Sequence, residues 1–456
     1  MFLSRPNDSA ISLVGGTQRA ASRRFFPPPD PDLDHLELSF LRVVGRNGVP
    51  MAAADDIQLD TSATEAGSLS QFGATMQVCK GTWNGQRVAV KHIRKDHVGD
   101  SYKRALRQVN YELQLMSKPS LRRHRNITKL LAVCFDDGDP SAVEPSISVV
   151  RPGLLVELAH EQYPDLRYFF DRGASHMRPN HLPFETSASL VADIADGITA
   201  LHDHDIVHAD LKPENVLIFP DSQCPGNVVA KIADFGYVGM TVYNNAGVRA
   251  PHPESRPGGG TAEWSAPECL QHPDYYRESG SLEHPSYQSC IDIYSFGLLS
   301  CYIALDGQTP LEYVPNLSES KLSDSLLGKV VAKLKEYYRQ GIVDGEGSFE
   351  EVAISIAHET LRLDSESRIQ SLRSIRPMLF GTGVTPRGNE KFVLNFNLFP
   401  QSAHEFRCQG LYDAYWSSPP AFRAEVLKSF QRISSGPFGQ YVAPEVWACL
   451  TKEPKV

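Results

Sequence analysis

The sequence predicts an α+β protein of two unequal lobes, a small β-rich one followed by a larger, mainly helical one. Two observations predict it. Residues 76–93 hold two β-branched runs around Asn84-Gly85, a dipeptide that favours a two-residue hairpin because both turn positions need positive φ. Beyond residue 160 the apolar period lengthens: Leu190, Ile194, Ile198 and Leu201 recur at 4, 4 and 3, the stripe of a buried helix.

Taken in order, residues 1–65 are rich in Pro, Ser, Ala and Asp, include RRFFPPPDPDLD, and read as a disordered or loosely docked tail. MQVCKGTW and QRVAVKHI read as hairpin strands. In the segment 101–117 Leu106, Val109, Leu113 and Met116 fall along one helical face. ITKLLAVCF and GLLVELA read as strands joined by the turn-rich DDGDPSAVEPS. Further helices are expected at 187–204, 291–305, 321–340, 350–361 and 369–379. The organisation is therefore a tail (1–65), a globular region of two lobes (66–158 and 159–380) and an extension (381–456). The extension carries one amphipathic segment, AFRAEVLKSFQRI, with Phe422, Val426, Phe430 and Ile433 on its apolar side. It is expected to pack on the large lobe or to bind a partner.

The 456 residues are 41% hydrophobic and 22% charged, ordinary for a globular protein with a sizeable core. A net charge of −9 argues against a nucleic-acid binder, which needs cations to displace counterions from phosphates. The eight cysteines form no CxxC pair, which favours reduced thiols over a disulfide framework or zinc site. No apolar run reaches signal-peptide or membrane-span length, so a cytoplasmic or nuclear protein, not a secreted or membrane one, is expected.

The chemistry lies in the order of short motifs. VAVK ends at Lys91 on a predicted strand, and Glu112 lies on the following helix. HADLKPEN supplies Asp210, Lys212 and Asn215, KIADFG supplies Asp234, and TAEWSAPE ends at Glu268. Taken singly, a strand lysine is usually solvated and a loop aspartate usually forms a turn. Together they satisfy V-A-V-K, H-x-D-L-x-x-x-N, D-F-G and A-P-E in sequence. From about residue 68 to 380 the chain resembles the eukaryotic protein kinase superfamily, whose fold is two lobes with ATP in the cleft between them.

That resemblance implies roles which the physics of phosphoryl transfer explains, since the protein must chiefly position ATP and neutralise developing charge. Lys91 would meet the α- and β-phosphates, and Glu112 would hold its amine in an ion pair. Asn215 and Asp234 would offer hard oxygen ligands to Mg²⁺. Asp210 would accept the proton of the incoming hydroxyl, and Lys212 would stabilise charge on the moving phosphoryl group. Val78 and Ala89 would line the nucleotide cleft. The Glu157 carbonyl and Ala159 amide would face adenine, with Val156 a small gatekeeper. His208 and Phe235 would stack with Met116 and Leu130 in the column joining the lobes, while Asp292 and a Glu268–Arg368 pair would be buried anchors.

Three departures qualify the resemblance. Aligned back from Val78, the glycine-rich motif G-x-G-x-x-G-x-V reads QFGATMQV and keeps Gly73 alone, which should weaken ATP cradling. Ala209 stands where many relatives carry an arginine that pairs with a phosphate on the activation segment, so phosphorylation at Thr241 or Tyr243 would not act through residue 209. The connection 269–290 is longer than the common arrangement and is a candidate docking surface for a protein partner, as is the C-terminal extension.

Lys212 in DLKPEN and Thr261 in GTAEWSAPE resemble the serine/threonine-specific pattern, and GTWNGQRVAVK with DIYSFG resembles the tyrosine-kinase-like branch. The expectation is an ATP- and Mg²⁺-dependent protein serine/threonine kinase acting on an unidentified protein substrate. The alternative is a catalytically weak pseudokinase that binds nucleotide and serves as a scaffold.

Overall fold

Each apolar pattern seeks a partner surface, and in the small lobe the strands find it in one sheet. A computed structural model describes residues 36–60, 76–136, 151–174, 182–222, 227–243, 249–251, 261–271, 289–311, 325–340, 349–380, 415–420, 422–424 and 426–427. The small lobe contains helix α1 (Leu36–Asn47), strands β1 (Ile57–Leu59), β2 (Met76–Trp83) and β3 (Gln86–Ile93), helix α2 (Asp100–Met116), and strands β4 (Leu130–Asp136) and β5 (Arg151–Glu157). The antiparallel sheet runs β1-β2-β3-β5-β4. Asn84 (φ 50°) and Gly85 (φ 73°) both adopt the left-handed conformation that closes the β2–β3 hairpin.

The register gives the sheet two distinct faces. Val78 lies opposite Lys91, and Ala89 opposite Val156, so these four side chains share the face turned to the cleft. On the other face Val88, Val90, Ala132, Cys134 and Leu155 form a second small core with Ala52, Ile57 and Trp83.

That second core corrects the reading of residues 1–65 as a tail, because 36–60 are built into the lobe. Val133 N–H donates to the Pro50 carbonyl (2.9 Å) and Ala52 N–H to the Val133 carbonyl (2.8 Å), so the chain runs along the outer edge of β4. It then crosses the outer face and joins β2 at the opposite edge as β1, with Ile57 opposite Trp83. The outer side of β4 and the last residues of β2 are thereby paired. Helix α1 buries Leu36, Phe40, Leu41 and Val44, a stripe that a short helix can hold only against a partner, here α2.

The large lobe contains α3 (Phe184–His202), β6 (Ile206–Val207), β7 (Val216–Pro220), β8 (Val228–Ile232), β9 (Gly239–Tyr243), β10 (Arg249–Pro251), α4 (Cys290–Ala304), α5 (Ser325–Gln340), α6 (Phe349–Thr360) and α7 (Ile375–Phe380). The α3 stripe Leu190, Ile194, Ile198 and Leu201 is buried throughout. Helix α4 is buried on every side and forms the centre of the lobe. At Gly297 an added Cβ would stand 2.1 Å from Thr360 Oγ1, so glycine permits the close crossing of α4 and α6. The helix expected at 369–379 is shorter: residues 372–374 make a 3₁₀ turn before α7.

One buried carboxyl in this core has a pH signature. Asp193 on α3 accepts the Ala230 N–H of β8 at 3.1 Å, and burial pushes its carboxyl up to about 6. The folded state therefore favours the protonated acid. Stability linked to this group is complete below its unfolded value of 3.8 and is lost as pH rises through about 6. Denaturant unfolding of Asp193→Asn should show a flatter stability profile across that window than wild type; identical profiles would refute the linkage.

The C-terminal extension also departs from expectation, for its described part packs on the small lobe. Phe422 and Val426, four apart on a helical stretch, are buried. The Phe422 ring lies 4.7 Å from that of Phe135 on β4 and 6.3 Å from that of Phe40 on α1. Phe430 and Ile433 lie outside the described residues. Among the described residues no helix is long and apolar enough to cross a membrane, and no cysteine is in a disulfide.

Candidate active site

Strand β3 and helix α2 bring the first charged pair together. Lys91 Nζ lies 2.6 Å from Glu112 Oε1 and 3.9 Å from Asp234 Oδ1. Glu112 is almost wholly buried, whereas the Asp234 side chain is 51% exposed toward solvent. Burial alone would lower the Lys91 ammonium, but the Glu112 and Asp234 carboxylates outweigh it and hold it above the usual lysine value. Lys91 is thus a fixed cation in the cleft.

The loop after β6 is built around the buried carboxylate of Asp292 on α4. It accepts the His208 N–H at 2.8 Å, the Ala209 N–H at 2.9 Å, and lies 2.9 Å from His202 Nε2. Ala209 has φ 63°, a left-handed conformation costly for a residue with a Cβ, and the two hydrogen bonds to Asp292 hold it there. Asp292 is an anchor of the loop, as expected. The His202 contact was not foreseen, since only folding places that helix end beside α4.

Asp210 is buried at the centre of a polar cluster. Its Oδ1 accepts the Thr261 N–H (2.9 Å) and hydroxyl (3.2 Å), and its Oδ2 accepts Lys212 Nζ (2.9 Å) and Asn215 Nδ2 (3.1 Å). Lys212 Nζ also donates to Thr261 Oγ1 at 3.0 Å. A carboxylate held by four donors, one of them an ammonium, has a fixed direction. Asn215 Nδ2 also donates to the Asp210 carbonyl at 2.7 Å, so both of its bonds to Asp210 use the amide nitrogen and not the oxygen. Asn215 and the half-exposed Asp234 fit Mg²⁺, whose ligands are hard oxygens shared with water and phosphate.

Asp234 has φ 61°. At the nearby Gly236 an added Cβ would stand 2.3 Å from Gln108 Nε2 of α2, so a larger residue would have to push that amide aside. The Tyr111 hydroxyl donates to the Val238 carbonyl at 3.3 Å, tying α2 to the start of the activation segment. The His208 and Phe235 rings pack 5.7 Å apart, and Phe235 shares one continuous core with Met116 and Leu130.

At the far end of the segment Arg368 grips Glu268 with both nitrogens (2.6 and 2.9 Å), the expected buried anchor. The segment itself folds as a backbone ladder: β9 pairs with β6 on one side and with β10 on the other, Thr241 opposite Pro251 and Tyr243 opposite Arg249.

Val78 and Ala89 lie on the cleft face, and Ala159 is buried just after β5. Gly73 and the rest of the glycine-rich stretch to Thr75 lie outside the described residues, as does 272–288 of the long connection. Glu157 shows an unforeseen side-chain role. Its two oxygens each lie 2.6 Å from Lys231 Nζ of β8, and Oε1 accepts the Lys129 N–H at 2.8 Å. Burial lowers Lys231, against the opposing pull of Glu157. This pair joins the strand before the adenine-side segment to the strand before Asp234. The lysine of KIADFG was the available signal.

Comparison with known proteins agrees with this geometry. The family described as "Protein kinase domain" matches residues 70–377. The chain is similar to MAP kinase-interacting serine/threonine-protein kinase 1 of Xenopus tropicalis, 31% identical over 52% of this chain and 48% of that protein. It is also similar to serine/threonine-protein kinase STY17 of Arabidopsis thaliana, 23% identical over 59% of this chain and 38% of that protein. Serine/threonine/tyrosine-protein kinase HT1 of the same plant is 24% identical over 56% of this chain and 54% of that protein. The chain thus spans about half, or less, of the length of these relatives.

Proposed function

The chain belongs to the eukaryotic protein kinase superfamily, and we propose that it is a catalytically active serine/threonine kinase that transfers the γ-phosphate of ATP to a protein hydroxyl. The carrying observation is the cluster of Asp210, Lys212 and Thr261, assembled with the Lys91–Glu112 pair already closed. Asp210 is the base that orients and deprotonates the attacking hydroxyl. Lys212 sits beside it, where negative charge moves from donor to acceptor. Lys91 holds the α- and β-phosphates. Asn215 and Asp234 would hold Mg²⁺, which supplies neutralisation of phosphate charge when bound. Val78 and Ala89 would border the nucleotide, and the Glu157 carbonyl and Ala159 amide would face adenine.

With γ-labelled ATP and Mg²⁺, the full chain is expected to label Ser and Thr, and not Tyr, in a general protein acceptor. Nucleotide binding without label transfer would favour the scaffold reading, which the single retained Gly73 motivates.

We further propose that this kinase works without arginine-mediated control by activation-segment phosphate. Ala209 carries no charge, and the β6–β9–β10 ladder supports the first half of the segment through backbone hydrogen bonds. Thr241→Ala combined with Tyr243→Phe should leave the transfer rate near wild type. Loss of activity in that double variant would restore phosphate to the controlling role.

A further inference from the structure

Helix α2 carries Glu112, so whatever sets its position sets the Lys91 pair. Two flanking pieces of chain converge on it. Asn110 Nδ2 on α2 donates to the Leu36 carbonyl at 2.8 Å, and Asn47 Nδ2 on α1 donates to Ser117 Oγ just past the α2 end at 3.0 Å. These bonds join the first and last residues of α1 to successive points of α2, so the two helices run alongside in the same direction. Asn110 is fully buried and lies two residues before Glu112.

The same buried stripe of α1, through Phe40 one turn after Leu36, also meets the C-terminal segment. Phe40, Phe135 and Phe422 form a three-ring cluster with centroids 6.0, 6.3 and 4.7 Å apart, and all three are buried. Val426 and Tyr415 are buried with them, and Arg423 stacks over Trp416 while donating to its carbonyl, which stiffens the turn between. The connection from β3 into α2 is held separately by Arg151, which donates to the Arg94 and Lys95 carbonyls.

We propose that α1 and the C-terminal segment bearing Tyr415, Phe422 and Val426 form an intramolecular clamp that holds α2 in the Glu112–Lys91 paired position, so that control lies in docking of the C-terminal segment. This rests on the kinase reading above and gives that site its regulator. The clamp acts in place of the missing arginine: apolar burial, not a phosphate, stabilises the paired state. Phe422 is a positioning residue that acts through Phe40 and α1. Undocking removes the aromatic wedge, loosens α1, and lets Glu112 leave Lys91.

The test uses full-length Phe422→Ala and Phe422→Leu, read by hydrogen exchange and by transfer rate. In Phe422→Ala, exchange at residues 105–116 is expected to rise on the order of tenfold, with helix α4 unchanged and kcat falling in parallel. Phe422→Leu, which keeps apolar volume, should recover most of both. Wild-type exchange at 105–116 in Phe422→Ala would overturn the clamp. So would a loosened α2 with an unchanged rate, or equal loosening of α2 and α4 in both variants. Exchange reads the clamp without catalysis, so a wild type that transfers no phosphate would defeat the kinase reading separately.

Discussion

Replacing Asp210 by asparagine is expected to lower kcat by about 10²–10⁴-fold while the chain stays folded. The substitution preserves size and can still accept from the Thr261 N–H, which now meets Oδ1 at 2.9 Å. What it removes is the negative charge and the basic oxygen. The Lys212 ammonium loses its counter-charge at 2.9 Å, and an incoming hydroxyl loses the group that would take its proton. Because the site makes five hydrogen bonds to Asp210, some loss of stability will accompany the change. Single-turnover transfer at saturating nucleotide, with thermal unfolding measured in parallel, separates the two effects. A variant that transfers at the wild-type rate would remove Asp210 from the reaction.

Arg368→Ala is expected to cost about 3–5 kcal/mol of stability, the penalty of breaking a buried pair from one side. The Arg368 side chain is fully enclosed and makes five hydrogen bonds: two to Glu268, and one each to the Cys290, Arg362 and Leu363 carbonyls. Its guanidinium also lies over the Tyr294 ring, 4.9 Å from the centroid. Alanine leaves the Glu268 carboxylate without its cation and three carbonyls without donors. Lysine restores the charge but not the planar fork, so Arg368→Lys should fall between. Urea unfolding of the three proteins checks the order. A change below about 1 kcal/mol would place the pair among surface bridges of little consequence.

The parts of this protein legible in its sequence share a physical character. Asn84-Gly85 specifies its turn through two left-handed residues, and the α3 stripe specifies its buried face by spacing. Lys91, Asp210, Asn215 and Asp234 could be named because phosphate and metal chemistry restricts each position to a narrow choice of residue. Helix α1 escaped because its stripe is short and follows a proline tract, and a short helix alone is marginal in water. The path of residues 50–59 across the sheet was hidden for a related reason. A few residues with no period of their own become structured only when β2 and β4 offer edges.

What the sequence by itself determined is the ordered set of motifs that marks a protein kinase, and an uncharged alanine at position 209. These follow from side-chain identity and local order along the chain. Tertiary structure alone decided that Asp292 holds the loop around Ala209, that Lys231 closes on Glu157, and that Phe422 settles against Phe40 and Phe135 on the small lobe. Those contacts join residues far apart in the chain, and apolar burial has no direction of its own. An amphipathic face records that it must be covered, while the shape of the folded surface selects what covers it.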